Sequence, residues 1–530
     1  MKTLHEVLKD WEAVIGLEVH TELTTLNTKM FCGCKLEFGA APNTHTCPVC
    51  LGLPGSLPVP NKAAIESIVL AGLATNCEIE KESMFYRKNY TYPDISSNFQ
   101  ITQGPVAFCM RGWMDLEVDG VAAKERVDLA EAREQGSYTT RIGITRIHME
   151  EDAGKLNHVG STDGRIAGAT HSLVDYNRCS TPLIELVTEP DFRTPEEARL
   201  FMQKLRQIYL SLGISDCSME EGSLRCDGNI SLRRRGESRL GTKTELKNMN
   251  SFKNLHDGLV YEICRQAEVL EEGGIIYQET RHWDPTARHT IMMRLKETAD
   301  DYRYFPEPNL TPFVLSDAFI EGIRTRLPEL PDEKAKRFGT DFELSAYDVR
   351  HLVEHRSTSN FFEACIEAAG AGAGGAGAGT GDVGNVASAK PLAKPLANLI
   401  INDVAGYLNA NDGIDLADTA LTPARAVELV RLLVNETISS KQAKEVFAAI
   451  LEEDKDPQVI VNERGMEQVS DTGAIEAIVE AVLAQNPDKV AQYRDGKTGL
   501  MGFFVGQCMK AMGGQGNPKI INELLAKKLG

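Results

Sequence analysis

Two close pairs of cysteines, Cys32-x-Cys34 and Cys47-x-x-Cys50, carry the most specific chemistry in the chain. Four soft thiolates so spaced, around a loop with Gly33, Gly39 and Pro42, can close a tetrahedral S4 site for zinc. Pro48 and Gly52 suit the tight knuckle that presents the second pair. With no coordination position left open, such a zinc is structural rather than catalytic. The alternative is four unrelated reduced thiols.

A second signal is a strand with one wet face. In Ile15-Gly-Leu-Glu18-Val-His20-Thr-Glu22, alternation sends Ile15, Leu17 and Val19 to one side and Glu18, His20 and Glu22 to the other. Further carboxylates stand among apolar residues at Glu150 and Glu151, ending ITRIHMEED, and at Glu185 in PLIELV. Carboxylates converging with an imidazole make a hard-cation site of the kind that holds Mg²⁺ with a substrate phosphate, and phosphoryl transfer depends on such positioning and charge neutralisation. The competing reading is edge-strand charge that prevents aggregation. No Walker A loop is present: Gly236 to Lys243 has the glycine spacing but Thr242 stands where Lys is needed.

The segment 225 to 256 holds eight Lys or Arg against three acids, a local +5, and its Arg233, Arg235, Lys243, Lys247 and Lys253 are candidate nucleic-acid phosphate contacts. A solvated hairpin tip would look similar. His20-x-Glu22 with Cys47-x-x-Cys50 downstream also matches elements of zinc-dependent nucleobase deaminases. Thr46 in place of the expected Pro, and a complete S4 set without His20, weigh against that reading.

These residues need elements to position them. The 530-residue chain exceeds what one core usually organises, so two or three domains are expected. A net charge of −19 argues against indiscriminate coating of nucleic acid or anionic membrane. Apolar runs are too short to span a bilayer. Lys2, Glu6, Lys9, Asp10 and Glu12 occupy the place of a signal peptide's apolar region, so a cytoplasmic protein with reduced thiols is expected.

The expected fold class is α+β: a mixed or antiparallel sheet-based cradle over 1–312, with a zinc-binding insertion at about 30–52, then an all-α helical domain over 313–455 and a small helical tail over 456–530. Pro195 to Leu212 reads as a helix with its Thr194 N-cap and closing Gly213. Thr422-Pro423 opens another, and Ser440 opens KQAKEVFAAILEE as its cap. The Ala/Gly stretch 369–387 reads as a disordered insertion. In the tail, three short helices are expected, the first stopped at Asn486-Pro487.

Longer strings then add a resemblance: VIGLEVH (14–20), CPVCLGLPGSLPVPN (47–61), RKNYTYPD (87–94), RIHMEEDAGKL (146–156), DYNRCSTPLIELVTEPD (175–191), GTKTELKNMNSFKNL (241–255) and DYRYFPEPNL (301–310). Together they closely resemble the B subunits of aspartyl/glutamyl-tRNA(Asn/Gln) amidotransferases, the GatB/GatE family, with a YqeY-type tail. The resemblance implies ATP- and Mg²⁺-dependent phosphorylation of the side-chain carboxylate of Glu-tRNA(Gln) or Asp-tRNA(Asn), then amidation by ammonia. It implies metal and phosphoryl-transfer roles for Glu18, His20 and Glu150 or Glu151, a weaker one for Glu185, and places Lys88 and Tyr90 in the same pocket. With no amidase-type Gly-Gly-Ser-Ser-Gly-Gly stretch here, it also implies a heterotrimer with a partner amidase (glutaminase) and a small third protein clamped around both. A non-catalytic tRNA-binding subunit is the remaining alternative. The Ala/Gly stretch and the loop 161–168 depart from the family pattern.

Overall fold

A computed structural model describes residues 2–126, 128–129, 132, 134–161, 166, 168–295, 302–371, 383–411, 414–468, 471–513 and 515–530. The chain divides into two compact units, Met1–Leu330 and Pro331–Gly530. Among the described residues no helix is long and apolar enough to cross a membrane.

The first unit is built on a 12-stranded sheet. Its strands are β1 (Trp11–Glu22), β2 (Glu78–Ile79), β3 (Phe85–Asn89), β4 (Phe99–Gln103), β5 (Cys109–Asp119), β6 (Ser137–Glu151), β7 (Pro182–Thr188), β8 (Leu224–Arg234), β9 (Thr244–Lys247), β10 (Glu279–Asp284), β11 (His289–Leu295) and β12 (Phe305–Pro306). The order is β11-β10-β9-β8-β1-β7-β6-β4-β3-β12, with β5 on β6 and β2 on β5. Pairing is antiparallel except between β9 and β10, so the sheet is mixed. With the helical second unit, the class is α+β, as expected from the sequence.

β1 lies near the middle, and its period-2 pattern decides the sheet's two faces. Ala13, Ile15, Leu17 and Val19 are fully buried beside Ile147, Met149, Ile184 and Leu186. Against that face pack α1 (Lys62–Ala74), α2 (Pro195–Leu212) and α3 (Phe252–Glu271). α2 forms where the sequence places it: Thr194 caps it through a reciprocal box with Glu197, Pro195 opens it, and Gly213 ends it at φ +68. Its Phe201, Met202, Leu205 and Ile208 enter the core, each worth about 1.5–3 kcal/mol of burial. One face of the sheet is thereby committed to the core and the polar residues of β1 fall on the other.

The second unit is helical and contains two hydrophobic clusters, one between Phe338 and Val461 and one between Ile475 and Leu529. The helix Pro423–Val434 has the expected Thr422 cap. In Ser440–Glu453 the cap is Ser439, one residue before the expected Ser440, because Gln442 then stands at the third helical position and returns the hydrogen bond. Ser439→Ala is therefore expected to destabilise this unit by about 1 kcal/mol, and Ser440→Ala hardly at all. Thermal unfolding of both variants of the full chain checks this; equal effects would reject the cap.

Pro487 stops one tail helix and, at a first helical position, starts another, Pro487–Arg494, so the tail has more helices than expected. Of the Ala/Gly stretch, 372–382 lie outside the described residues. Its flanks are helical, not disordered: Arg356–Ala371 extends through buried Ala369, and Val383–Asn398 begins inside the stretch. In the loop 161–168, residues 162–165 and 167 also lie outside the described residues.

Candidate functional site

The polar face of β1 carries three adjacent groupings: β8 places Asp227 opposite Glu18, β7 places Glu185 opposite His20, and the side chain of Glu22 meets Asp152 and Arg225. The central one is an imidazole–carboxylate cluster. His20 stands directly opposite Glu185 of β7, and Glu185 opposite His148 of β6. His20 Nε2 is 3.2 Å from Glu185 Oε2 and 4.0 Å from Glu150 Oε1; His148 Nε2 is 3.4 Å from the same Glu185 oxygen. One ligand atom from each of His20, Glu150 and Glu185 can be chosen so that all three lie within 4.8 Å of one another.

The charges in this cluster depend on each other. Burial alone would lower the His20 pKa, but the hydrogen bond and charge of Glu185, with Glu150, raise it to about 9. Burial raises the carboxyl of Glu185, yet His148, His20 and Lys88 hold it far below the ordinary range. His148, more deeply buried, is pushed down despite the two carboxylates. Burial likewise works against the Lys88 ammonium, and Glu150 and Glu185 more than offset it. Lys88 projects from β3 with its Nζ 5.5 Å from the Tyr90 ring centre and 5.2 Å from that of Tyr302. Burial, then Glu150, raises the phenol of Tyr90.

Glu18 belongs to the next grouping, with Asp227 of β8 and Glu245 of β9. Lys247 contacts Asp227 and lies 3.5 Å from Glu245, while Asn229 donates to Glu18 at 3.0 Å. Glu22 forms the third with Asp152, whose Oδ2 is 2.5 Å from Arg225. Burial and the Asp152 charge raise Glu22 to about 8. Glu18 thus shares the face of His20 but not its immediate cluster.

Glu151 is not in the cation cluster at all, contrary to its place among the expected metal ligands. The pleat turns it to the opposite face from Glu150, where its Oε1 accepts from the Ile101 N–H at 3.0 Å. There it borders a cavity of about 230 Å³ with Cys50, Gln100, Ser180 and Glu307. Burial raises its pKa to about 7. Alternation along RIHMEED separates the two glutamates and places His148 with Glu150. That signal lay in the sequence, as did the same-face spacing of Asp227 and Asn229; Tyr302 had no local signal.

Cys32, Cys34, Cys47 and Cys50 do come together, with sulfurs mutually within 4.8 Å and those of Cys47 and Cys50 3.9 Å apart. Zn–S bonds of about 2.3 Å in a tetrahedron require sulfurs about 3.8 Å apart. The Cys47 N–H donates to Cys50 Sγ at 3.2 Å, which shapes the second pair. The donor set fits zinc. His20 is grouped with carboxylates and the four cysteines are grouped without it, so the shared His/Cys metal of a deaminase has no counterpart among the described residues.

The basic segment is largely engaged within the chain. Arg233 binds Glu12 at 2.5 Å, Arg235 donates to the Leu8 carbonyl at 2.8 Å, Lys253 pairs with Asp257 one helical turn on, and Lys247 joins the carboxylates. Lys243 is exposed. Of these acids, Glu12 and Asp257 lie outside the segment and are not in the local count of +5, whereas Asp227 and Glu245 are already in it.

A mixed sheet with an imidazole–carboxylate cluster on one face, followed by a helical unit, is the frame on which the family comparison rests. The family model described as the GatB/GatE catalytic domain matches residues 13–321, and that described as the GatB domain matches 383–529. The chain is 48% identical over 522 residues to the B subunit of the aspartyl/glutamyl-tRNA(Asn/Gln) amidotransferase of Carboxydothermus hydrogenoformans, covering 98% of this chain and 99% of that one. It is 47% identical to the protein of the same name from Geobacter sp. (strain M21), covering 98% and 99%, and 46% identical to that from Acaryochloris marina, covering 98% of each. The chain belongs to the GatB/GatE family.

Proposed function

We propose that this protein is the tRNA-handling, phosphorylating subunit of a glutamine-dependent amidotransferase ligase. It acts on Glu-tRNA(Gln), Asp-tRNA(Asn) or both, phosphorylating the side-chain carboxylate with ATP and then allowing ammonia to displace phosphate. The observation that carries this reading is the His20–Glu150–Glu185 cluster on the open sheet face, with Lys88 beside it. One imidazole nitrogen and carboxylate oxygens suit a hard divalent cation whose remaining positions are left to water and phosphate. Mg²⁺ bound there would neutralise phosphate charge during transfer. The Lys88 ammonium offsets negative charge on the transferring group, and Tyr90 and Tyr302 form the wall beside it that orients the aminoacyl end. His148 and the strand pairing hold Glu185 in place. Glu18, in the neighbouring carboxylate group, shapes the charge of the same face. Glu151 has no part in this set.

An acyl phosphate is needed because ammonia attacks a bare carboxylate far too slowly. Ammonia comes from a partner amidase (glutaminase), and a small third protein completes a heterotrimer, in the cytoplasm. The helical second unit serves the tRNA body by shape. The four-cysteine site holds structural zinc: Cys47→Ser is expected to lose the metal and lower the melting temperature, and unchanged metal content would reject the site.

The deciding experiment combines the chain with its amidase partner, ATP, Mg²⁺ and Glu-tRNA(Gln) or Asp-tRNA(Asn). ATP cleavage that depends on the charged tRNA is expected with at least one of them. Its absence with both would leave only the tRNA-binding role.

A further inference from the structure

Lys29 is a fully buried lysine, at 0% exposure, in the strap that leads into the first cysteine pair. Its backbone N–H donates to the Cys34 carbonyl at 3.0 Å. Its ammonium reaches the second pair, donating to Cys50 Sγ at 3.6 Å, and also donates to the Tyr176 carbonyl at 3.0 Å. Neither partner of the ammonium is a carboxylate. A buried ammonium is heavily disfavoured unless an anion stands beside it, and a neutral thiol sulfur is only a weak acceptor. Four thiolates around a divalent ion carry a net charge of about −2, an excess that a buried cation in contact would relieve.

The same side chain bridges two parts of the fold. Tyr176 lies in the turn before β7, the strand that carries Glu185. The Met30 N–H donates to the Ser180 carbonyl at 2.7 Å, and Ser96 Oγ and Cys179 Sγ both donate to the Cys50 carbonyl. The knuckle is therefore seated on the segment that feeds the site, with Lys29 at the point where sulfur, strap and turn meet.

We propose that Lys29 is the counter-charge and second-sphere donor of the zinc centre formed by Cys32, Cys34, Cys47 and Cys50, a positioning residue that holds the Cys50 thiolate and ties the centre to the turn before β7. This rests on the zinc reading above. Outer-sphere donors of this kind change metal affinity by about 10–100-fold when removed. Lys29→Met deletes the charge and both hydrogen bonds of the side chain while keeping much of its apolar stem.

The test uses the full chain loaded with zinc, comparing wild type with Lys29→Met, and with Lys29→Gln should the methionine variant not accumulate as folded protein. Zinc withdrawal by a chromophoric chelator is expected to be about 10–100-fold faster in the variant. In the cobalt-substituted protein, the thiolate-to-metal charge-transfer band should move to lower energy, because the sulfur lone pair loses its donor. That band shift would not follow from a merely structural loosening. A wild-type chain that binds no zinc would overturn the zinc reading itself. A zinc-loaded wild type whose variant releases metal at an unchanged rate, with an unmoved cobalt band, would overturn the role of Lys29 and leave the zinc site standing.

Discussion

Glu185→Gln should lower tRNA-dependent ATP cleavage by about 10²–10³-fold, the scale on which single preorganised electrostatic groups act in a reaction centre, while tRNA binding stays unchanged. The carboxylate stands between His20 and His148, at 3.2 and 3.4 Å, and supplies one of the two anionic donors beside His20. An amide of the same shape keeps the packing but removes that charge, and its NH₂ would face a ring N–H. The cluster then loses one of its two anionic ligands. Glu151→Gln is the matched control: one residue from Glu150 but on the other side of the sheet, it should leave the chemical step intact. Single-turnover cleavage in the assembled complex, with tRNA affinity measured separately, checks both. Equal losses in the two variants would mean that the sheet face was wrongly identified as the reacting one.

The second large effect is on stability. Glu197→Ala should destabilise the first unit by about 3–5 kcal/mol, the usual result of stripping one partner from a buried ion pair. Glu197 is fully buried in the first turn of α2, where its carboxylate accepts from Arg126 Nη1 at 2.6 Å, Tyr138 Oη at 2.8 Å and the backbone N–H groups of Arg193 and Thr194. It is at once the charge partner of a buried guanidinium and half of the capping box of the helix behind the site. Asp128 remains as a second partner of Arg126, which softens the loss. A marked fall in the melting temperature of the full chain is expected, with unchanged melting of Ser440→Ala as the reference for an inert change in a helix's first turn. If the Glu197→Ala transition did not move, the Arg126 pair would be contributing nothing net.

Much of the site was legible locally. The period-2 alternation of β1 decides which residues share a face whatever the strand pairs with, so Glu18, His20 and Glu22 could be placed together from the sequence. The spacing of the two cysteine pairs limits how far apart their sulfurs can sit, and they do converge. Caps at Thr194 and Thr422 work through bonds spanning three residues, so they too are local facts. The same kind of local reasoning, applied to HMEED, separates Glu150 from Glu151; there the pattern was present and the expectation left both open.

What the linear chain could not decide is everything set by register between distant strands. Glu185 stands between the two histidines because β7 pairs with β1 so that it falls opposite His20, and with β6 so that it falls opposite His148. A shift of one residue would send it to the core face. Glu18 is drawn instead toward Asp227 and Glu245, supplied by β8 and β9. The local +5 segment is partly neutralised because Glu12, Asp152 and Asp257, all outside it, are brought to Arg233, Arg225 and Lys253 by folding. The order of residues was enough to specify which chemical groups are available and which faces of single elements carry them, since both follow from backbone geometry within a few positions. Which of those groups meet was left to the folded arrangement, since a charge acts over a few ångströms and the chain places its neighbours by long-range packing.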